Sequence, residues 1–278
     1  MHTRTKKVVL IVISCLLAAL LAYVGVGFWQ STQFRCVTYH MTGTNAPSMR
    51  VVLLSDVHDA ALSNEEIAHK VADAAPDFVC LCGDFLSASN LTRVTDLIER
   101  LCACAEVFFS LGNSDITYWS AEAEVAVTAA GAIILNNDYV TRTIDGVSVR
   151  FGGLYAYASQ VDDDQVAWES SDAYHFLTSF TDTDDYTILL CHRPESFFYG
   201  AADDWAIDLL LCGHTHGGVI RIPPFGGVIA SEQRLFPQYV YGRYALTDDM
   251  TMIITAGVAA YHNIPRFYNP AEIALVVF

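Results

Sequence analysis

Two aspartates, one asparagine and four histidines stand where apolar runs of this chain give way to polar residues. Asp56 and His58 follow the run that starts at residue 50. Asp84 ends the next, 77–84, and Asn113 ends a third, 106–113. His192 follows 186–191, and His214 and His216 follow 207–212. Carboxylate, amide and imidazole groups suit divalent ions such as Mn, Fe, Zn or Co. Seven such groups are too many for one ion and suit two, if one carboxylate is shared. Singly, most have an ordinary explanation. Asp56 resembles a helix cap, and Gly83-Asp84 and Gly112-Asn113 resemble turns. Gly213-His214-Thr215-His216-Gly217-Gly218 is more specific. Two histidines one residue apart, flanked by glycines, read as a tight loop that projects both rings toward a ligand.

The elements that must position these residues recur in order. An apolar strand breaks into polar residues, and a helical pattern follows. Strands are expected at 50–56, 77–84 and 106–113, with helices at 64–75, 91–103 and 119–130. Continuous apolar strands between helices indicate a sheet covered on both faces. The second half is richer in strands. Residues 139–143 and 147–151 flank Asp145-Gly146 as a hairpin. Further strands are expected at 186–191, 207–212, 251–256 and 273–278, with a helical pattern at 173–180. The fold class is α/β, with two packed sheets and helices outside. Ligands in open α/β sheets bind beyond the carboxyl ends of the strands, so distant residues are brought together there.

Residues 8–28 form an unbroken run of apolar or small residues, preceded by Lys6 and Lys7 and followed by Trp29. That length crosses a bilayer, and the flanking lysines keep the N-terminus cytoplasmic. Residues 1–30 are therefore expected to be a cytoplasmic stub and single-pass anchor, and 31–278 a single domain outside the cytoplasm. A cleaved signal peptide is the weaker alternative. The whole chain carries 31 acids, 15 Lys and Arg, and a net charge of −16. From residue 31 onward 31 acids face 12 bases, a net −19. Such a surface is expected to repel nucleic acid, since nucleic-acid-binding modules are usually basic. Eight cysteines invite a disulfide reading. Cys80, Cys82, Cys191 and Cys212, however, sit in apolar strands, and buried free thiols are expected.

The ordered set Asp-x-His, Gly-Asp, Gly-Asn, a lone His and Gly-His-x-His resembles the calcineurin-like metallophosphoesterase superfamily. Leu190-Cys191-His192-Arg193-Pro194-Glu195 and Ile264-Pro265-Arg266-Phe267 resemble its bacterial membrane-anchored or exported branch. The resemblance implies a four-layer α-β-β-α sandwich of two mixed sheets. It implies Asp56, His58 and His216 on one metal ion, Asn113, His192 and His214 on a second, and Asp84 bridging both. It implies hydrolysis of phosphate esters, chiefly phosphodiesters, by a hydroxide held between the ions. Location near the membrane suggests a lipid head group or cell-envelope phosphodiester as substrate.

The sequence departs from the family at Gly112-Asn113-Ser114-Asp115, where relatives have histidine after the asparagine. That histidine contacts the phosphate and protonates the leaving group, and losing a general acid costs about 10²–10⁴-fold. His262 is the candidate substitute, and its ordinary explanation is a surface loop histidine. Arg193, Arg221 and Arg266 are candidate phosphate clamps, with Arg266 foremost. Ser114 also favours a second reading, a membrane-tethered metal-binding scaffold with little or no turnover.

Overall fold

The computed structural model describes residues 2–43, 45–156, 168–197, 204–230, 235–261 and 264–278. The first half runs α1 (His2–Ser31), β1 (Phe34–His40), β2 (Arg50–Leu54), α2 (Asn64–Asp73), β3 (Phe78–Cys82), α3 (Leu91–Cys102), β4 (Glu106–Ser110), α4 (Asn113–Tyr118), α5 (Ala121–Ala129) and β5 (Ile133–Ile134). The second runs β6 (Asp138–Ile144), β7 (Val147–Gly153), α6 (Asp172–Thr181), β8 (Tyr186–Leu190), β9 (Leu209–Cys212), β10 (Arg221–Ile222), β11 (Gly226–Gly227), β12 (Gly242–Ala245), β13 (Thr251–Ile254) and β14 (Ala271–Val277).

Sequence chemistry explains the boundaries. Ser63 caps α2 in a reciprocal capping box with Glu66, which satisfies amide groups the helix leaves open. Val94, Leu97, Ile98 and Leu101 bury one face of α3 at helical spacing. Ser120 caps α5 through the Ala123 amide, so that helix starts two residues later than its pattern suggests. Asp145 and Gly146, both at positive φ, turn β6 into β7, which suits the twist of the paired strands.

Strands assemble as β1-β14-β2-β3-β4-β5 in one sheet and β12-β13-β9-β8-β7-β6 in the other. Both are mixed sheets. Alternation along each strand decides what each face meets. Val52 and Leu54 pack under α2, α3 and α5, while Val51 and Leu53 point at the second sheet. There they meet Phe151, Ile188 and Leu211. The outer face of that sheet packs Leu189, Leu210 and Met252 against Phe176, Leu177 and Phe180 of α6. Each fully buried Val, Leu or Phe contributes about 1.5–3 kcal/mol. The result is the expected four layers, helices on sheet on sheet on helices.

β1 has no counterpart in the sequence reading. It joins α1 to the first sheet through two residues and pairs parallel with β14. α1 contains a segment, Thr5–Ser31, long and apolar enough to cross a membrane, and it fits a single-pass anchor. All eight cysteines are free, and Cys80, Cys82, Cys191 and Cys212 are buried as expected.

Candidate metal centre

β2, β3 and β4 are adjacent and parallel in the first sheet, as are β8 and β9 in the second. Their carboxyl ends carry the seven predicted residues to one place. The loops there are strained. Asp56, His58, Asp84, His214 and His216 all hold positive φ. Asp, Asn and His tolerate that region better than most side chains, at some cost that clusters at functional sites. Glycines let the loops close. A Cβ on Gly83 would lie 2.4 Å from His192 Nδ1, and one on Gly213 would overlap Ser55 Oγ.

Two groups of donor atoms result, Asp56 with His58 and His216, and Asp84 with His192 and His214. Asp84 connects them. Its Oδ2 lies 3.5 Å from His58 Nε2 and 3.3 Å from His192 Nε2. Its other oxygen accepts the Ser114 amide at 2.8 Å. Asp56 Oδ1 lies 3.5 Å from His216 Nε2. The rings of His58 and His216 stack with centroids 5.6 Å apart.

The outer nitrogens fix the inner ones. His192 Nδ1 meets the Cys82 carbonyl at 2.8 Å, and His216 Nδ1 meets the Ala259 carbonyl at 3.2 Å. A carbonyl only accepts, so each Nδ1 carries the proton. Nε2 of each ring then faces the site, and its lone pair is available to a cation once that nitrogen is deprotonated. Asn113 Oδ1 and His214 Nε2 are buried there without a hydrogen-bond partner. Such atoms are costly to leave unpaired, and a cation satisfies them. The donor set therefore fits divalent ions.

The electrostatics differ from one histidine to the next. With no cation present, burial resists a charge on His192, but the Asp84 carboxylate outweighs it and holds the pKa at about 10. Burial works against the Asp84 charge too, and His192 and His58 together pull its pKa below the usual range. Burial lowers His214 to about 3, with His192 adding to the effect. Burial also lowers His216. Metal binds neutral imidazoles and ionised carboxylates, so Asp84, His214 and His216 are already in the binding form, and a cation would displace the proton that Asp84 holds on His192.

The sequence model for the calcineurin-like phosphoesterase matches residues 49–218. The chain belongs to this family.

The calcineurin-like phosphoesterase is 30% identical over 182 residues to the uncharacterized protein YpbG of Bacillus subtilis, covering 65% of this chain and 66% of YpbG. The match thus spans just under two thirds of YpbG. It is 24% identical to the phosphodiesterase YaeI of Escherichia coli over 79% of this chain and 78% of YaeI. Among solved structures, TT1561 of Thermus thermophilus shares the fold, with a TM-score of 0.51, 12% identity, and 77% of this chain and 91% of that one covered.

Three residues support this phosphoesterase site in ways the sequence did not indicate. Asp115 is fully buried, and its carboxylate accepts the backbone amides of Asp84, Phe85, Leu86 and Gly112 at 2.6–2.8 Å. Burial and the Asp84 charge push its pKa up to about 6. The Asn269 amide donates to the carbonyls of His216 and Val219. It holds a loop in which Val219, a β-branched residue, sits at φ 57°. Arg266 is the third. It borders the cleft, but its guanidinium donates to the carbonyls of Ala256, Gly257, Ala259 and Pro270. This corrects the expectation of a phosphate clamp. Arg266 fixes the loop whose Ala259 carbonyl orients His216.

Arg221 stacks on Tyr241 at 3.6 Å and donates to the Gly217 carbonyl. Neither it nor Arg193 borders the cleft. His262 lies outside the described residues. Its neighbour Tyr261 borders the cleft and contacts the His216 ring edgewise. Ser114 also borders the cleft, beside Asn113.

Proposed function

We propose that this phosphoesterase hydrolyses phosphate esters, phosphodiesters foremost, with two divalent ions. Asp56, His58 and His216 would hold one, and Asn113, His192 and His214 the other, with Asp84 shared. The observation that carries this reading is Asp84 Oδ2, set 3.5 Å from a histidine of one group and 3.3 Å from a histidine of the other. Paired ions lower the pKa of a water and clamp phosphoryl oxygens.

The chain's own residues do the rest. The Cys82 and Ala259 carbonyls orient two imidazoles, and the Ser114 amide fixes the second Asp84 oxygen. Asp115 holds the β3 loop that carries Asp84. Ser114 cannot deliver a proton near neutral pH, so leaving groups that depart as stable anions are favoured. His262 remains the candidate donor for others. Lys6 and Lys7, in α1 ahead of its apolar run, favour a cytoplasmic N-terminus, with residues 31–278 outside.

Ser114 also supports the scaffold reading, in which metal is held but turnover is slight. Assay of the full-length chain in detergent, stripped of metal and refilled with Mn, separates the two. The aryl phosphodiester and matching monoester are the substrates, and Asp84→Asn is the control. Mn-dependent turnover lost in the control is expected. Metal binding without turnover on either ester would favour the scaffold.

A further inference from the structure

A cleft of about 980 Å³ leads to the metal centre, and part of its wall is the end of α1. Phe28, Ser31 and Gln33 border it together with Asp84 and Asn113. α1 is fastened to the domain at this point. The Tyr268 amide donates to the Gly27 carbonyl at 3.1 Å, and the Tyr268 hydroxyl donates to the Tyr23 carbonyl at 2.8 Å. Phe28 meets Phe267 edgewise at 5.3 Å. Gly27 is required for this approach, since a Cβ there would lie 2.4 Å from the Phe267 ring. The residues that end the apolar span are thus also residues of the substrate cleft.

An apolar hairpin adjoins the same place. Arg221 donates its amide to the Phe267 carbonyl at 2.9 Å, next to the ring that packs on α1. β10 and β11 then carry Phe225 at their tip, 74% exposed. Leu235 and Phe236 are exposed beside it, with the Phe236 amide bonded to the Val228 carbonyl. Charge is segregated as well. Residues 219–230, 235–246 and 258–271 contain no aspartate or glutamate, although the chain has 31 acids. They contain Arg221, Arg243 and Arg266, and Glu232 is the acid between the first two stretches. Exposed apolar tips, aromatic rings and segments free of acids are features of a surface that lies on a bilayer.

We infer that this face rests on the leaflet into which α1 emerges, with Phe225, Leu235 and Phe236 in its interfacial region, and that the substrate is a phosphate ester carried by a lipid of that leaflet. The inference rests on the esterase reading and names its substrate class. The lipid's phosphate reaches the centre along the α1 wall while its acyl chains stay in the bilayer. Water adds across one P–O bond. Its oxygen stays on phosphorus, and the released alcohol takes the proton.

The test uses the full chain with Mn in phosphatidylcholine vesicles that also contain phosphatidylglycerol as diester and phosphatidic acid as monoester. A soluble aryl diester and the deacylated head groups are assayed in parallel. Release of phosphate or head group from the vesicle lipid is expected, faster than from the deacylated compound. Phe225→Ser with Phe236→Ser should lower the lipid rate by about tenfold and leave the aryl diester rate unchanged. Phe225→Trp should show emission quenched by brominated acyl chains. Cleavage of the aryl diester with both lipids untouched would overturn the lipid substrate and leave the esterase standing. Equal rates on vesicle lipid and deacylated head group, or an unquenched Trp, would also overturn the inference. Loss of all turnover would overturn the esterase reading and this inference with it.

Discussion

Asp84 concentrates several demands in one side chain. One oxygen faces His58 and His192, the other takes the Ser114 amide, and the backbone sits at φ 63°. Asp84→Asn keeps the volume but loses the charge. It should reduce bound metal from two ions per chain to one, as read by elemental analysis. Ser114→His places an imidazole where the family pattern has one. It should raise turnover of alkyl esters by about 10²-fold and change aryl esters little, as read from paired kcat values. Burial pushes the Glu272 pKa up, against the Ala256 amide and the Arg221 charge, which pull it down. A carboxyl with a raised folded pKa favours the fold while protonated. That contribution is complete below the unfolded carboxylate range and is lost as pH rises through the folded value. Glu272→Gln should therefore flatten the fall in Tm of the metal-free protein between acidic and alkaline buffer. The seven donor residues were legible because each ends an apolar run. Arg266 was legible as a site residue but not in its supporting role, and the roles of Asp115 and Asn269 were not legible either, because their partners are backbone groups, and sequence does not say which carbonyl an arginine will meet.

At the scale of elements, the site depends on loops that only particular residues can close. Gly83 has φ +77°, and a Cβ there would lie 2.6 Å from the Gly112 Cα. Gly83→Ala should lower both Tm and metal occupancy, since the β3 and β4 loops must part to admit it. Asp115→Ala leaves buried amides at Asp84, Phe85, Leu86 and Gly112 without their acceptor. At about 1–3 kcal/mol for each unpaired buried group, a loss of at least ~3 kcal/mol is expected, measured by denaturant unfolding. Buried strands such as β3 and β8 were legible as continuous apolar runs. β1 was not, because its residues are half-buried or exposed along its length and its order comes from pairing with β14. β10 and β11 are two residues each, too short to show a period.

At the scale of the whole molecule, the four layers follow from alternating apolar strands and helices, and that pattern is visible in the sequence. The meeting of α1 with the cleft is not. Nothing in the residue pattern indicates that Gly27 approaches Phe267 or that Gln33 accepts the Ala271 amide, because these contacts join distant parts of the chain. The contacts imply that α1 does more than tether. The measurement that tests the paired centre most directly is electron paramagnetic resonance of the Mn-loaded full chain. Two ions sharing Asp84 predict an exchange-coupled spectrum that Asp84→Asn converts to that of an isolated ion. An isolated-ion spectrum in the unaltered chain at full metal loading would contradict the shared-carboxylate centre.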